Sequence, residues 1–161
     1  MFRLIDSPLG PLRLQASPRG LSRVEFTATG ALPEAVGSRD ERDVEKHSAA
    51  VLDATQAQLA EYFAGRRRAF ELPLDPPETT AFRAAVHAQL AEIGYGETIT
   101  YRDVAKKLVR PGATRAVGSA CGANPLLIVR PCHRVLRSDG GLGGYAGGLE
   151  AKRFLLTLEE N

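Results

Sequence analysis

Residues 100–122, TYRDVAKKLVRPGATRAVGSACG, read as two short helices around a tight turn. Tyr101, Val104, Ala105 and Leu108 recur at i, i+3, i+4 and i+7, the spacing of one apolar helix face. Thr100, followed three residues later by Asp103, resembles a capping box with Asp in place of the usual Glu. Arg110-Pro111-Gly112 breaks the first helix, because proline brings no amide donor. From Ala113 to Gly122 almost every residue is small, and Arg115 is the single long side chain before Asn124-Pro125. The pair makes a helix-turn-helix. Its second helix, so poor in bulk, suits either close packing in a core or close approach of the backbone to a ligand such as a groove of DNA. In the second case Arg115 is the side chain long enough to push between bases.

Upstream, Thr79 or Thr80 can cap a helix whose Phe82, Val86, Leu90 and Ile93 share a face that ends at Gly94. Before it, Leu72-Pro73-Leu74-Asp75-Pro76-Pro77 cannot propagate a helix and is the best candidate linker, dividing residues 1–76 from 77–161. The first third alternates Leu12, Leu14 and Ala16 with Arg13 and Gln15 between Gly10-Pro11 and Pro18-Arg19-Gly20, as strands joined by turns do. Residues 31–48 are polar and aperiodic and read as an exposed excursion. From Ala50 a helical stripe of Leu52, Leu59, Tyr62 and Phe63 runs to Gly65. The fold class is α+β: a small N-terminal sheet domain with helices, then a mostly helical domain carrying the helix-turn-helix.

The 161 residues, 43% hydrophobic and 25% charged, suffice for one or two packed domains and contain no membrane-length apolar run. The start, Met1 to Pro8, has no signal-peptide pattern, and the chain is expected in the cytoplasm. Net charge is only +2, but residues 101–137 carry eight Lys and Arg against Asp103 alone. Such a stretch is either a solvated basic face or a surface for a polyanion. The two cysteines, Cys121 and Cys132, lack zinc-like spacing and suggest neither a disulfide framework nor a metal site.

Downstream, the apolar run Leu126-Leu127-Ile128-Val129 leads into Arg130-Pro131-Cys132-His133-Arg134-Val135. Arg130, His133, Arg134 and Arg137 form an electropositive setting expected to favour the Cys132 thiolate, the nucleophilic form. In a regular strand Cys132 and His133 would point to opposite faces, so their cooperation requires a turn here or a water between them. Six glycines between 140 and 148 make a flexible loop without a phosphate-binding pattern.

The run Pro131-Cys132-His133-Arg134-Val135 resembles the active-site signature of the O6-alkylguanine-DNA alkyltransferases. Tyr95-Gly96-Glu97-Thr98 with Tyr101, Arg115-Ala116-Val117-Gly118, Asn124-Pro125, Gly144-Tyr145 with Gly147-Gly148-Leu149, and Ser7 to Leu12 are similar to further motifs of that family. Lys152 and Glu159 fall on its matching final helix. The resemblance implies a ribonuclease-H-like N-terminal domain. It also implies direct repair of O6-alkylguanine and O4-alkylthymine in double-stranded DNA by a single-turnover methyltransferase, without cofactor or metal. It further implies a monomer, with cooperative assembly on DNA left open.

By the same resemblance Cys132 is the nucleophile, His133 takes its proton through a water, Glu159 orients the imidazole, and Asn124 holds the turn before the active site. Tyr101 donates to guanine N3, the Ala146 amide donates to O6, and the carbonyls of Cys132 and Val135 accept from the exocyclic amine. Tyr145 belongs to the loop over the base. Arg115, Ala116, Gly118 and Ser119, with Thr100, Arg102 and Ser138, are implied in minor-groove binding and base flipping.

Some positions depart from the family pattern. Arg130 stands where an aliphatic residue is usual and is expected to reach solvent, an acid or a phosphate. Leu127 replaces a common proline, His87 a tryptophan and Gly94 a proline, and Cys121 is read as inert. A non-enzymatic alkyltransferase-like lesion sensor is the alternative, and Cys132 itself argues against it. An ordinary helix-turn-helix regulator would leave the Cys-His pair unexplained.

Overall fold

The computed structural model of the chain describes residues 1–28 and 42–161 and contains two compact units, Met1–Pro77 and Glu78–Asn161. In the first, strands β1 (Phe2–Ile5), β2 (Leu12–Ser17) and β3 (Gly20–Phe26) form an antiparallel sheet in that order. The alternation along β2 buries Leu12, Leu14 and Ala16 on one face, where helix α1 (Arg42–Phe63) packs. Leu52, Leu59 and Tyr62 complete this core with no exposed surface.

Helix α1 begins eight residues before Ala50. Residues 31–41 of the expected excursion lie outside the described residues, and residues 42–48 are helical, exposed up to Ser48. A helical turn with no buried face leaves no apolar period to read, although Asp43 and Glu45 suit a helix N-terminus. The expected linker also does more than connect. The Leu21 amide donates to the Pro73 carbonyl at 2.8 Å and the Asp75 amide to the Leu21 carbonyl at 2.8 Å, so Leu74 bridges in parallel to β3.

In the second unit, Thr80 caps α2 (Ala81–Ala91) by accepting from the Arg83 amide, and Val86, His87 and Leu90 face inward. Thr100 caps α3 (Tyr101–Lys107) by accepting from the Asp103 amide. Helix α4 (Thr114–Gly122) packs on both α2 and α3. The turn between α3 and α4 starts earlier than Arg110: Val109, 86% exposed, takes the left-handed conformation at φ 57°. Thr100 also ends β4 (Ile99–Thr100), which pairs in parallel with β5 (Val135–Leu136). Two-residue strands carry no period, so sequence patterning leaves this pair invisible. Helix α5 (Leu149–Glu159) closes the chain and packs against a 3-10 turn at Cys132–Arg134.

The apolar run before the cysteine is not a strand. The Val129 amide donates to the Leu127 carbonyl at 2.8 Å and the Arg130 amide to the Leu126 carbonyl at 2.8 Å, folding the segment into successive turns around buried Leu126, Leu127 and Ile128. Ile128 takes φ 71°, a strained value for a β-branched residue and typical of strain held at functional sites.

Where β3 meets the Pro73 segment, a Cβ on Gly20 would lie 2.5 Å from the Pro73 carbonyl oxygen. Gly20→Ala is therefore expected to lower the unfolding free energy by about 1–3 kcal/mol, the usual range for overpacking, read by urea denaturation. An unchanged midpoint would mean the bridge yields freely.

Candidate active site

Cys132 starts the 3-10 turn, which lets two neighbouring side chains serve one site as no strand would. Asn124, at the end of α4, holds the chain that leads there. Its Nδ2 donates to the Arg130 carbonyl at 2.8 Å and its Oδ1 accepts from the Leu126 amide at 3.0 Å, so one buried amide clasps the whole turn 124–130.

Behind the cysteine lies a buried ionic cluster. Glu159 Oε1 accepts from His133 Nε2 at 2.8 Å and from an Arg134 Nη at 2.8 Å, while Glu159 Oε2 accepts from Arg134 Nε at 2.8 Å. The other Arg134 Nη donates to the Ile93 carbonyl at 2.6 Å. A carboxylate accepting at Nε2 fixes the proton on that nitrogen and leaves Nδ1 as the basic one, which is buried and meets no partner among the described residues. Burial lowers the His133 pKa; hydrogen bonding and charge from Glu159 push it up, and Arg134 and Lys152 add to the lowering. The imidazole is neutral at neutral pH.

The electropositive setting read from the sequence is therefore incorrect in its parts. Arg134 is spent on Glu159, and Arg137 is exposed and paired with Asp139 at 2.7 Å. Burial raises the Cys132 pKa against the Asn124 hydrogen bond and the charges of Lys152 and Arg130, so the resting group is a thiol. Arg130 keeps part of its surface in solvent and meets no acid among the described residues: it is half-buried, burial lowers its pKa, and its guanidinium makes no hydrogen bond among the described residues.

Lys152 is the functional candidate that sequence reading placed only by its helix. It is fully buried, and Nζ donates to the carbonyls of Val135 (2.7 Å), Leu142 and Gly144 (3.2 Å), and to the Tyr101 hydroxyl at 3.4 Å. Three carbonyls suit the three donors of an ammonium. One side chain thus ties the glycine loop to β5 and to α3. The signal was available: Lys152, Leu155 and Glu159 share the buried stripe of α5, where charge is uncommon.

A cavity of about 390 Å³ reaches Cys132, lined by Tyr101, Thr114, Arg115, Gly118, Cys121, Gly122, Gly144, Tyr145 and Ala146. Of the residues expected at the site, this brings together Tyr101, Arg115, Gly118, Cys132, Tyr145 and Ala146. Asn124, His133, Val135 and Glu159 are buried and do not line it. Ala116 and Ser119 lie exposed on α4, Arg102 on α3, and Ser138 after β5; Thr100 spends its oxygen on the α3 cap. Burial, then the nearby Cys121 and Cys132, push the Tyr101 pKa to about 12, and burial does the same to Cys121, so both stay neutral. His87, in place of the expected tryptophan, donates from Nε2 to the Ala120 carbonyl at 2.7 Å, a packing role on α4.

Compared with known proteins, residues 81–161 match the DNA binding domain of 6-O-methylguanine DNA methyltransferase and residues 1–76 its ribonuclease-like domain. The methylated-DNA–protein-cysteine methyltransferase of Methanosarcina barkeri is 42% identical over 160 residues, 99% of this chain and 97% of the relative. That of Haemophilus influenzae is 38% identical, covering 99% and 86%. Among solved structures, Mycobacterium tuberculosis OGT in complex with DNA is similar with a TM-score of 0.84 and 37% identity, over 99% of this chain and 92% of that one.

Glycines around the cavity separate by their duties. A Cβ on Gly143, at φ 71°, would lie 2.6 Å from the Tyr101 hydroxyl, whereas one on Gly118, inside α4, meets nothing within 4 Å. Gly118→Ala is expected to raise the unfolding free energy by about 0.5–1 kcal/mol, the helical cost of glycine. Gly143→Ala is expected to lower it by about 1–3 kcal/mol through left-handed backbone strain. Thermal melts of the two variants check the pair, and shifts of the same sign would contradict it.

Proposed function

The chain belongs to the 6-O-methylguanine DNA methyltransferase family, and on that premise we propose that it repairs alkylated guanine in DNA by moving the O6 alkyl group irreversibly to Cys132. The observation that carries this reading is a cavity running from the exposed Arg115 on α4 to a buried cysteine backed by a histidine and a carboxylate. The exposed cations Arg102, Lys106, Lys107, Arg110 and Arg115 on and beside the helix-turn-helix take the phosphates of the duplex. Ala116, Gly118 and Ser119 let the α4 backbone approach the minor groove, with Thr100 and Ser138 as further backbone contacts. Arg115 enters the stack as the damaged guanine turns out into the cavity.

The chemistry starts from two neutral groups. His133 Nδ1 takes the Cys132 proton through a bridging water, and the resulting imidazolium is held by Glu159. Arg134 keeps the same carboxylate from drawing a proton onto the imidazole prematurely. Sγ then attacks the O6 alkyl carbon in line; an S–C bond forms, the C–O6 bond breaks, and the electron pair leaves with guanine. The Tyr101 hydroxyl, which accepts from Lys152, keeps its own proton free to donate to guanine N3. The Ala146 amide, which makes no hydrogen bond within the described residues, donates to O6, and the Cys132 and Val135 carbonyls accept from the exocyclic amine.

A thioether is a poor leaving group, and burial keeps the Cys121 thiol that shares the cavity neutral, so each molecule reacts once. An alkyltransferase-like sensor would need no thiol at the end of the cavity. The protein works in the cytoplasm, and the activity asks for no cofactor.

Incubation with a duplex containing O6-methylguanine is expected to add the mass of one methyl to Cys132, with none in Cys132→Ser. Arg115→Ala should slow transfer from duplex at least tenfold while leaving reaction with the free base less affected. Duplex binding without a methyl adduct in the wild type would favour the sensor.

The pH dependence follows from the lowered His133 pKa. The neutral imidazole persists below the ordinary 6.5, so the transfer rate should hold level from pH 8 to about 6.5 and decline only beneath it. The same depression contributes stability that is present above 6.5 and lost as pH falls through the folded pKa. A rate profile with an acid midpoint above 6.5 would contradict the assignment of His133 as base.

A further inference from the structure

Pro131 takes φ −80° and ψ 63°, an inverse γ-turn, which closes as the Cys132 amide donates to the Arg130 carbonyl at 2.8 Å. The same carbonyl accepts from Asn124 Nδ2 at 2.8 Å. Residue 130 is thereby held one hydrogen bond from the backbone of the reacting residue, by the turn and by the Asn124 clasp together. It does not line the cavity that reaches Cys132.

The side chain carried there is a cation without a counter-charge. Arg134 is paired with Glu159 and Arg137 with Asp139, whereas the Arg130 guanidinium has neither hydrogen bond nor ion pair among the described residues. Burial lowers its pKa, but a guanidinium keeps its proton at neutral pH. The titratable group it meets on α2 is His87, kept neutral by burial and by the charges of Arg130 and Arg83 against its bond to the Ala120 carbonyl. Half-burial also removes part of the water that would screen the charge.

Cys132 feels that charge. Burial raises its pKa, while the Asn124 hydrogen bond, the Lys152 charge, its own backbone and the Arg130 charge pull the other way. The groups that face it from other elements are neutral: Tyr101 on α3, Cys121 on α4, Tyr145 in the loop, and His133 beside it. The cations acting on the sulfur are therefore Lys152 and Arg130, and they differ. Lys152 holds the carbonyls of Val135, Leu142 and Gly144, and with Arg134 its charge also opposes a proton on His133. Part of what Lys152 lends the thiolate it withdraws from the base. A cation on the cysteine side alone favours the separated pair, sulfur negative and imidazole positive.

Resting on the alkyl-transfer reading above, we infer that Arg130 is a further positioning residue of the reaction, whose unpaired guanidinium stabilises the negative charge gathering on Cys132 Sγ as the thiol proton leaves for His133. It touches neither base nor alkyl group and keeps all its protons. The S–H bond breaks, the proton passes to His133 Nδ1, Sγ bonds to the alkyl carbon, and guanine leaves with the electron pair of the C–O6 bond.

The test compares wild type with Arg130→Met, which keeps length without charge, and Arg130→Lys, which keeps the charge. Each full chain is treated with iodoacetamide from pH 7 to 9.5, with the Cys132 adduct separated from any on Cys121 by peptide mapping. Each is also given an O6-methylguanine duplex, and duplex affinity is measured alongside. In Arg130→Met the Cys132 alkylation rate should fall about threefold at fixed pH, its rise with pH moving up by about half a unit. Methyl transfer should slow with it, duplex affinity should hold, and Arg130→Lys should recover most of both rates. Alkylation and transfer within 1.5-fold of wild type in Arg130→Met would overturn the inference. An equal loss in Arg130→Met and Arg130→Lys would do so too, by assigning the effect to shape. Weaker duplex binding with unchanged thiol reactivity would make Arg130 a phosphate contact instead. A wild type whose Cys132 reacts with iodoacetamide but takes no methyl from duplex overturns the transfer reading, and the alkylation profiles still decide the charge effect. Arg130→Gln carries the comparison where Arg130→Met does not fold.

Discussion

The second unit depends on one carboxylate. Glu159, on the last helix, accepts from His133 and twice from Arg134, and Arg134 reaches on to the Ile93 carbonyl beyond α2. A buried acid with one basic partner is a poor bargain against desolvation, and losing a partner from such a pair costs about 3–5 kcal/mol. Here the oxygens are satisfied by directional donors from the turn that presents Cys132. The cluster that anchors α5 to that turn also sets the histidine tautomer, so stability and reactivity rest on the same atoms.

That double use explains why the resting site holds a thiol and a neutral imidazole. Burial opposes ionisation of both cysteine and histidine, and the charge of Arg134 works against what Glu159 lends to His133. A thiol that is not ionised at rest is shielded from unselective chemistry and becomes a nucleophile when its proton is drawn toward Nδ1. Lys152 plays the complementary part on the opposite side, satisfying carbonyls of the glycine loop and β5 while its charge lowers the cost of a thiolate.

Around this rigid centre the backbone is held in costly shapes. Ile128 sits at φ 71° inside the Asn124 clasp, and Gly143 occupies a left-handed position against Tyr101. Such strain persists only where surrounding contacts over-determine it. Gly118, Gly122 and Gly144 differ from these, since nothing in the protein itself demands their smallness.

Much of this was legible without coordinates. Alternation along β2, the stripes of α1 and α2, the Thr100 cap and the small-residue helix α4 all follow from local periodicity and capping, because those signals arise from residues near one another in the chain. The motif around Cys132 likewise named the nucleophile, its base and the distant acid by resemblance. What local pattern cannot carry is where charges end. Arg134 looked like a field for the thiolate and is in fact the partner of Glu159; Lys152 looked like one lysine of a helix and is the knot of the loop; Leu126 to Val129 looked like a continuous apolar run and folds into turns clasped by Asn124. Sequence by itself determined the longer elements, whose apolar period or caps are local, and left the two-residue strands β4 and β5 unread. The ionisation of the site was decided only by tertiary structure, because desolvation and ion pairing depend on neighbours distant in the chain, as Lys152 and Tyr101 are at 51 residues.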